Sequence, residues 1–418
     1  MKYVKIAVGL LCVMAVGLYA YSEIAENEIA KVESAVQKTE QTTIPLKVGA
    51  ERMEVYLPLL QGKNVGVVGN QTSVVKQTHL VDTLIKRGVS VKKIFTPEHG
   101  FRGTADAGAS VNNGVDEVTG LPLISLYGKH KKPTPDDFQG IDVIVFDIQD
   151  VGARFYTYIS TMHYVMEACA ENNVPCIVLD RPNPNGFYVD GPVLKLANQS
   201  FVGMHPVPIV HGMTIGEYAQ MINGEKWLAN DVKCDLKVIP CEGYDHTVKY
   251  KIPIPPSPNL PNMQAIYLYP TLCLFEGTVM SVGRGTDFPF QVVGHPQYKD
   301  STFFFRPESR TGASSPLYEN KKCYGKDFRT YDVSKIHSLD ISIWKEMYKQ
   351  YGGNELFFNR FFIKLAGTPD LQRSIELGLS EEKIRESWKQ DLDLFRQIRC
   401  SCSATSPTAR PSWVCRAA

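Results

Sequence analysis

The sequence predicts an α/β fold: a doubly wound parallel sheet, followed by a smaller α+β region of different character. Between residues 64 and 180, short and nearly continuous apolar runs alternate with stretches of helical spacing. That is the pattern of parallel strands covered on both faces. Five of these runs end in polar or reactive residues, namely Asn70, Glu98, Tyr127, Asp147 and Asp180. In open α/β sheets, ligands bind beyond the carboxyl ends of the strands, so residues distant in sequence are expected to gather along one edge.

The elements follow in order. Residues 1–22 hold Lys2 and Lys5 and then an apolar run from Ile6 to Ala20. At about fifteen residues the run is short for a membrane span and suits a signal peptide or N-terminal anchor. The body is therefore expected outside the cytoplasm, periplasmic or secreted, with membrane contact only if this segment is retained. Residues 23–47 are polar and read as a linker. A first domain is expected over 48–250, with strands at Asn64–Val68, Val91–Phe95, Leu121–Leu126, Ile141–Phe146 and Cys176–Leu179. Helices are expected at His79–Arg87, ended by Gly88, and at Ala153–Glu171. Thr214 and Glu217 have capping-box spacing and start another helix, to Ile222. The proline-dense stretch 252–261 excludes helix and central strand, so it reads as an extended segment crossing between domains or lining a cleft. A smaller domain over 251–399 is expected to contain helices at Ile341–Tyr351 and Glu381–Arg399. Residues 400–418 hold three of the ten cysteines without periodicity and read as a tail.

Composition narrows the function. The 418 residues are 44% hydrophobic, and 45 basic against 44 acidic residues leave a net charge of +1. No global field favours nucleic acid. Cys169, Cys176 and Cys273 lie in apolar segments and read as buried thiols. Cys234 and Cys241 are close enough to pair across a hairpin, which spacing alone does not decide. No dinucleotide or P-loop glycine motif, no HExxH and no GxSxG elbow is present. The nine histidines show no metal spacing. No metal or organic cofactor is implied.

Three motifs carry candidate chemistry. Thr96-Pro-Glu-His-Gly-Phe-Arg-Gly103 follows a buried strand. A carboxyl there is open to desolvation, which raises its pKa and suits Glu98 to general-acid work, with His99 and Arg102 beside it. The bland alternative has Glu98 capping the loop or pairing with Arg102. Asp147-Ile-Gln-Asp-Val-Gly-Ala-Arg-Phe-Tyr-Thr-Tyr158 passes from strand to helix. Asp147, Arg154 and Tyr156 are candidates here, and Asp150 reads equally well as a cap for free amides. Leu179-Asp-Arg-Pro-Asn-Pro184 places Asp180 and Arg181 at a strand end. Asn70, His211, Glu276 and Arg284 sit at turns and are further candidates for contact with a ligand.

Together these segments resemble one family, the NamZ-type exo-β-N-acetylmuramidases. The resemblance rests on Gly69-Asn-Gln-Thr72, PEHGFRG at 97–103, DIQDVGARFYTY at 147–158 and LDRPNP at 179–184. HGMTIGE at 211–217, PPSPNLP at 255–261, LFEGT at 274–278 and GRGT at 283–286 extend it in the same order. The resemblance implies a Rossmann-like domain joined to a smaller one with a cleft between them. It also implies release of N-acetylmuramic acid (MurNAc) from the non-reducing end of peptidoglycan fragments such as MurNAc-GlcNAc, with Glu98 catalytic. On that footing Glu98 protonates the glycosidic oxygen, and Asp147 is the first choice for the second group at the anomeric carbon. Asp180 and the substrate's own 2-acetamido group stand behind it. The lactyl carboxylate of muramic acid calls for an arginine, and Arg154, Arg181 and Arg284 are candidates. The alternative is a non-catalytic muropeptide- or sugar-binding protein of the envelope.

Overall fold

A strand buried on both faces needs side chains that suit its neighbours on each side, and β1 (Asn64–Gly69) shows how closely. A β-carbon added at Gly66 would meet Ile144 at 2.6 Å and Phe95 at 3.0 Å, so only glycine lets the flanking strands close in. The computed structural model describes residues 45–101 and 113–404, with side chains to residue 400. The expected leader at 1–22, nearly all of the linker, Arg102 and residues 405–418 lie outside the described residues.

After β1 come a small hairpin, β2 (Val74–Val75) and β3 (Thr78–His79), and then β4 (Ser90–Thr96). β5 (Gly114–Val115), β6 (Pro122–Ser125), β7 (Val143–Asp147), β8 (Cys176–Leu179) and β9 (Leu236–Ile239) follow. The seven-stranded sheet has the order β5-β6-β4-β1-β7-β8-β9. All its neighbours are parallel except the short β5–β6 pair. Leaving out β5, the order is third, second, first, fourth, fifth, sixth along the chain, the doubly wound Rossmann order. The topological switch point falls between β1 and β7.

Helices α1 (Met53–Leu60), α2 (Leu80–Lys86), α3 (Tyr158–Glu171) and α4 (Ile215–Gly224) accompany the sheet. α3 begins five residues later than its spacing suggests. The Ala153 and Arg154 backbones are already engaged with residues 209–210, with Arg154 N–H donating to Ile209 C=O at 2.8 Å and Ala153 bridging Val210. Gly152, at φ 78°, turns the chain there. α4 starts where the capping box places it. The Thr214 hydroxyl accepts from Glu217 N–H at 3.2 Å and Glu217 accepts from Thr214 N–H at 2.9 Å.

Beyond the proline stretch, α5 (Met263–Leu272) runs through Pro270, which sequence reasoning did not foresee. A three-stranded antiparallel sheet follows, β10 (Val292–His295), β11 (Phe304–Phe305) and β12 (Cys323–Asp327), with β12 central. Then come α6 (Ile341–Tyr351), α7 (Arg360–Ala366), α8 (Asp370–Glu376) and α9 (Glu381–Ala404). α9 continues past the expected end at Arg399. It buries Ile384, Trp388, Leu392 and Phe395 and packs on α4. One cluster of buried apolar side chains, from Val68 to Phe395, serves both sheets' surroundings. Cys234 and Cys241 are free thiols; Cys241 donates to Asp180 C=O at 3.3 Å and Cys234 faces Cys176. No helix among the described residues is long and apolar enough to cross a membrane.

The switch point is filled by the protein itself. Arg181 holds Asp147 from two nitrogens, Nε to Oδ1 at 2.6 Å and Nη2 to Oδ2 at 2.8 Å, and both side chains are buried. Arg181 Nη2 also donates to Val74 C=O at 3.0 Å. The proline segment closes over this from outside: Gln71 donates to Pro255 C=O at 3.1 Å, and the Tyr158 hydroxyl to Pro256 C=O at 2.9 Å. Removing one partner of a buried pair strands the other charge. Arg181→Met is therefore expected to lower unfolding free energy by about 3–5 kcal/mol in urea titration, and Asp147→Leu with Arg181→Met to recover much of it. A loss below about 1 kcal/mol in the single variant would show the pair to be dispensable.

Candidate active site

Glu98 lies two residues past β4, where Pro97 C=O accepts from Gly100 N–H at 3.1 Å and closes a tight turn. His99 within that turn adopts φ 70°, a left-handed conformation that costs a branched or bulky residue energy. Glu98 Oε2 accepts from the Thr157 hydroxyl at 2.9 Å. The half-buried Tyr127 hydroxyl, just past β6, faces the same carboxylate. Burial first, and then the charge of Glu98 and a hydrogen bond to it, push the Tyr127 phenol well above its usual ionisation range.

Glu98 and Thr157 open onto a pocket lined by Glu98, His99, Phe155, Tyr156, Thr157, Tyr158, Ser257, Asn259, Leu260, Tyr269, Arg284 and Phe290. The wall thus comes from the PEHG turn, the start of α3, the proline segment, α5 and the turn after residue 282. Phe290 is the second wall residue at positive φ, 55°. Two non-glycine residues held in a sparsely populated conformation on one pocket mark a place where surrounding structure enforces geometry. Gly283 and Gly285, at φ 78° and 80°, bracket Arg284 and let the turn present it.

Of the sequence candidates, Glu98, His99, Tyr156 and Arg284 line this pocket. Glu276 stands behind Arg284, accepting from its Nε at 2.5 Å and its Nη2 at 3.2 Å. The others are placed elsewhere. Asp147 is fully buried against Arg181 and does not reach the pocket, which corrects its assignment as the second catalytic group. Arg181 is withdrawn as a ligand contact for the same reason. Arg154 is buried, its Nη1 donating to Pro192 and Val207 C=O at 2.8 and 2.7 Å and its Nη2 to Leu365 C=O at 2.8 Å. It ties the 147–158 motif to α7, and burial lowers its pKa to about 9. Asp180 secures the start of α4, accepting from Thr214 Oγ1 at 2.9 Å and Gly216 N–H at 2.8 Å. Asn70 accepts from Thr72 N–H at 2.9 Å and organises the β1 turn. His211 is fully buried, its pKa lowered to about 3 by burial and by Arg399. Asp150 accepts from Gly152 N–H at 2.6 Å, as the capping alternative expects, and Nε2 of His211 is 3.9 Å away. Sequence reasoning missed Thr157, Tyr158, Ser257, Asn259, Tyr269 and Phe290; the first four sit in motifs quoted above, but hydroxyls, amides and rings carry no charge signal to single them out. Among the described residues, no cluster of three or more His, Cys, Asp or Glu side chains could hold a metal ion.

The fold and pocket define a doubly wound α/β protein whose pocket, among the described residues, presents one carboxylate, Glu98, beside aromatic side chains and an arginine. Two family models match the chain: exo-β-N-acetylmuramidase NamZ, N-terminal, over residues 65–264, and its C-terminal counterpart over 267–403. The chain belongs to the NamZ family of exo-β-N-acetylmuramidases. It is 38% identical over 368 residues to the peptidoglycan β-N-acetylmuramidase NamZ of Bacillus subtilis (strain 168), covering 82% of this chain and 87% of that one. Two crystal structures of DUF1343 family proteins from Bacteroides fragilis are similar to it. One has TM-score 0.80 and 44% identity, the other 0.75 and 31%, each covering 85% of this chain and 98% of its own.

Burial sets a pH signature for the buried carboxyls. Asp150 and Asp180 are each pushed from 3.8 to about 7 by desolvation. The folded state therefore keeps their protons while the unfolded chain releases them. Their contribution is full below about pH 4 and is lost as pH rises through 7. Relative to Asp150→Asn, the native protein is expected to lose on the order of a few kcal/mol of stability between pH 4 and 8. Thermal unfolding of both proteins across that range checks it; a constant difference would show that Asp150 is not protonated in the fold.

Proposed function

We propose that this protein is a glycoside hydrolase that releases MurNAc from the non-reducing end of peptidoglycan fragments such as MurNAc-GlcNAc. The observation that carries this is the Glu98 carboxyl, set by Thr157 and facing Tyr127 on the wall of a pocket built by both parts of the chain. Family membership supports the substrate class. Glu98 protonates the departing glycosidic oxygen, while Tyr127 and Thr157 fix the direction of its lone pairs. Ser257 and Asn259 offer neutral hydrogen-bonding groups to sugar hydroxyls, and the aromatic walls suit the ring's apolar faces.

Most glycosidases pair two carboxyl groups, and some substitute the 2-acetamido group of the substrate for the second. Among the described residues Glu98 is the single carboxylate on the pocket wall. With Asp147 withdrawn, this favours the acetamido oxygen as the group that attacks the anomeric carbon, followed by water and net retention. The leader-like residues 1–22 support export, so that the enzyme meets peptidoglycan fragments in the periplasm or outside the cell; membrane attachment follows only if that segment is kept.

Incubation of the protein with MurNAc-GlcNAc is expected to yield free MurNAc by mass spectrometry. Glu98→Gln is expected to lower kcat/KM by about 10²- to 10⁴-fold, the usual worth of a general acid. Disaccharide that stays intact while bound to the native protein would instead indicate a binding protein. Thr157→Val removes one hydrogen bond to a charged group and is expected to lower kcat by about 10-fold or more. An unchanged kcat would show that Thr157 does not position Glu98.

A further inference from the structure

Arg284 has an unusual economy of contacts. Glu276 takes the side edge of the guanidinium through Nε and Nη2. Its Cζ lies 4.9 Å from the Phe290 ring centroid, so one face is covered by an aromatic ring held at positive φ. The remaining nitrogen, Nη1, is shut off from bulk water and has no hydrogen-bond partner among the described residues. A buried donor left unmade costs free energy, and native structures rarely tolerate one without a purpose. Arg284 also lines the same pocket as Glu98. The unmet donor is therefore served by whatever occupies the pocket, and a planar fork with two free N–H directions matches a carboxylate.

Arg154 and Arg181 are excluded from this role because neither lines the pocket: backbone carbonyls hold both terminal nitrogens of Arg154, and Asp147 holds Arg181. We infer that Arg284, steered by Glu276 and Phe290, is the group that recognises the lactyl carboxylate of the terminal muramic acid and sets the preference for muramic over glucosamine ends. This rests on the muramidase function proposed above. Glu276 balances the arginine's charge and holds the fork in one orientation. Selectivity comes from the directed Nη1 donor as well as from charge.

The test is equilibrium binding, which needs no turnover. N-acetylmuramic acid and its lactyl carboxamide, equal in size but differing in charge, are titrated into the native protein. The acid is expected to bind about 10- to 100-fold more tightly, the range for a hydrogen bond to a charged group. Arg284→Lys keeps a positive charge beside Glu276 but lacks the fork, and is expected to lose most of that preference. The Arg284→Gln, Glu276→Gln pair, neutral throughout, is expected to lose all of it. Equal binding of acid and amide by the native protein, or binding of neither, overturns the inference, as does the native preference retained in full by folded Arg284→Lys. If MurNAc-GlcNAc is still cleaved in those cases, the hydrolase assignment stands and only the role of Arg284 falls.

Discussion

The buried Asp147–Arg181 pair is the constraint on which the arrangement of this molecule depends. A doubly wound sheet leaves a crevice where strand order reverses, here between β1 and β7. Many proteins of this topology place a ligand there. In this chain two fully buried, oppositely charged side chains from the ends of β7 and β8 meet beside that crevice, and the guanidinium reaches across to the Val74 carbonyl on the β1 side. Two charges so deep are tolerable because each satisfies the other bidentately. The proline-dense segment then lies over the turn after β1, held by Gln71 and Tyr158.

Filling the crevice moves the site. The open pocket lies toward β4 and β6, where Glu98 and Tyr127 emerge, and its far wall is supplied by α5 and the glycine-flanked Arg284 turn. The proline segment thus has two faces: one closes the crevice, and the other brings Ser257 and Asn259 to the pocket. Arg154 has a comparable bridging task. Its donors reach carbonyls at residues 192, 207 and 365, so the motif that carries Thr157 and Tyr158 is tied directly to the C-terminal helices.

Much of the fold was legible in the sequence because it rests on local signals. Continuous apolar runs marked β1, β4, β7 and β8 to within about two residues, and Thr214 with Glu217 marked the start of α4. The helix beginning at Tyr158 was misplaced because what holds residues 153–154 out of the helix is a pairing with residues more than fifty positions away. β9, with one fully buried side chain, and the short strands of the second sheet carry too little pattern to be read alone. For the site, strand-end position singled out Glu98, which lines the pocket. The same rule could not separate Glu98 from Asp147 and Asp180, since all three follow buried strands. What separates them is partner geometry: Arg181 closes over Asp147, and Gly216 N–H and Thr214 close over Asp180, while Glu98 lines the pocket.

The most direct measurement is a crystal structure of the Glu98→Gln protein with MurNAc-GlcNAc bound. The terminal sugar is expected beside residue 98, between the Tyr127 and Arg284 side chains, with its glycosidic oxygen in hydrogen-bonding reach of the residue 98 side chain and the Asp147–Arg181 pair unchanged. A sugar seated over β1 and β7, with residues 255–261 displaced and Arg181 swung away from Asp147, would contradict the account.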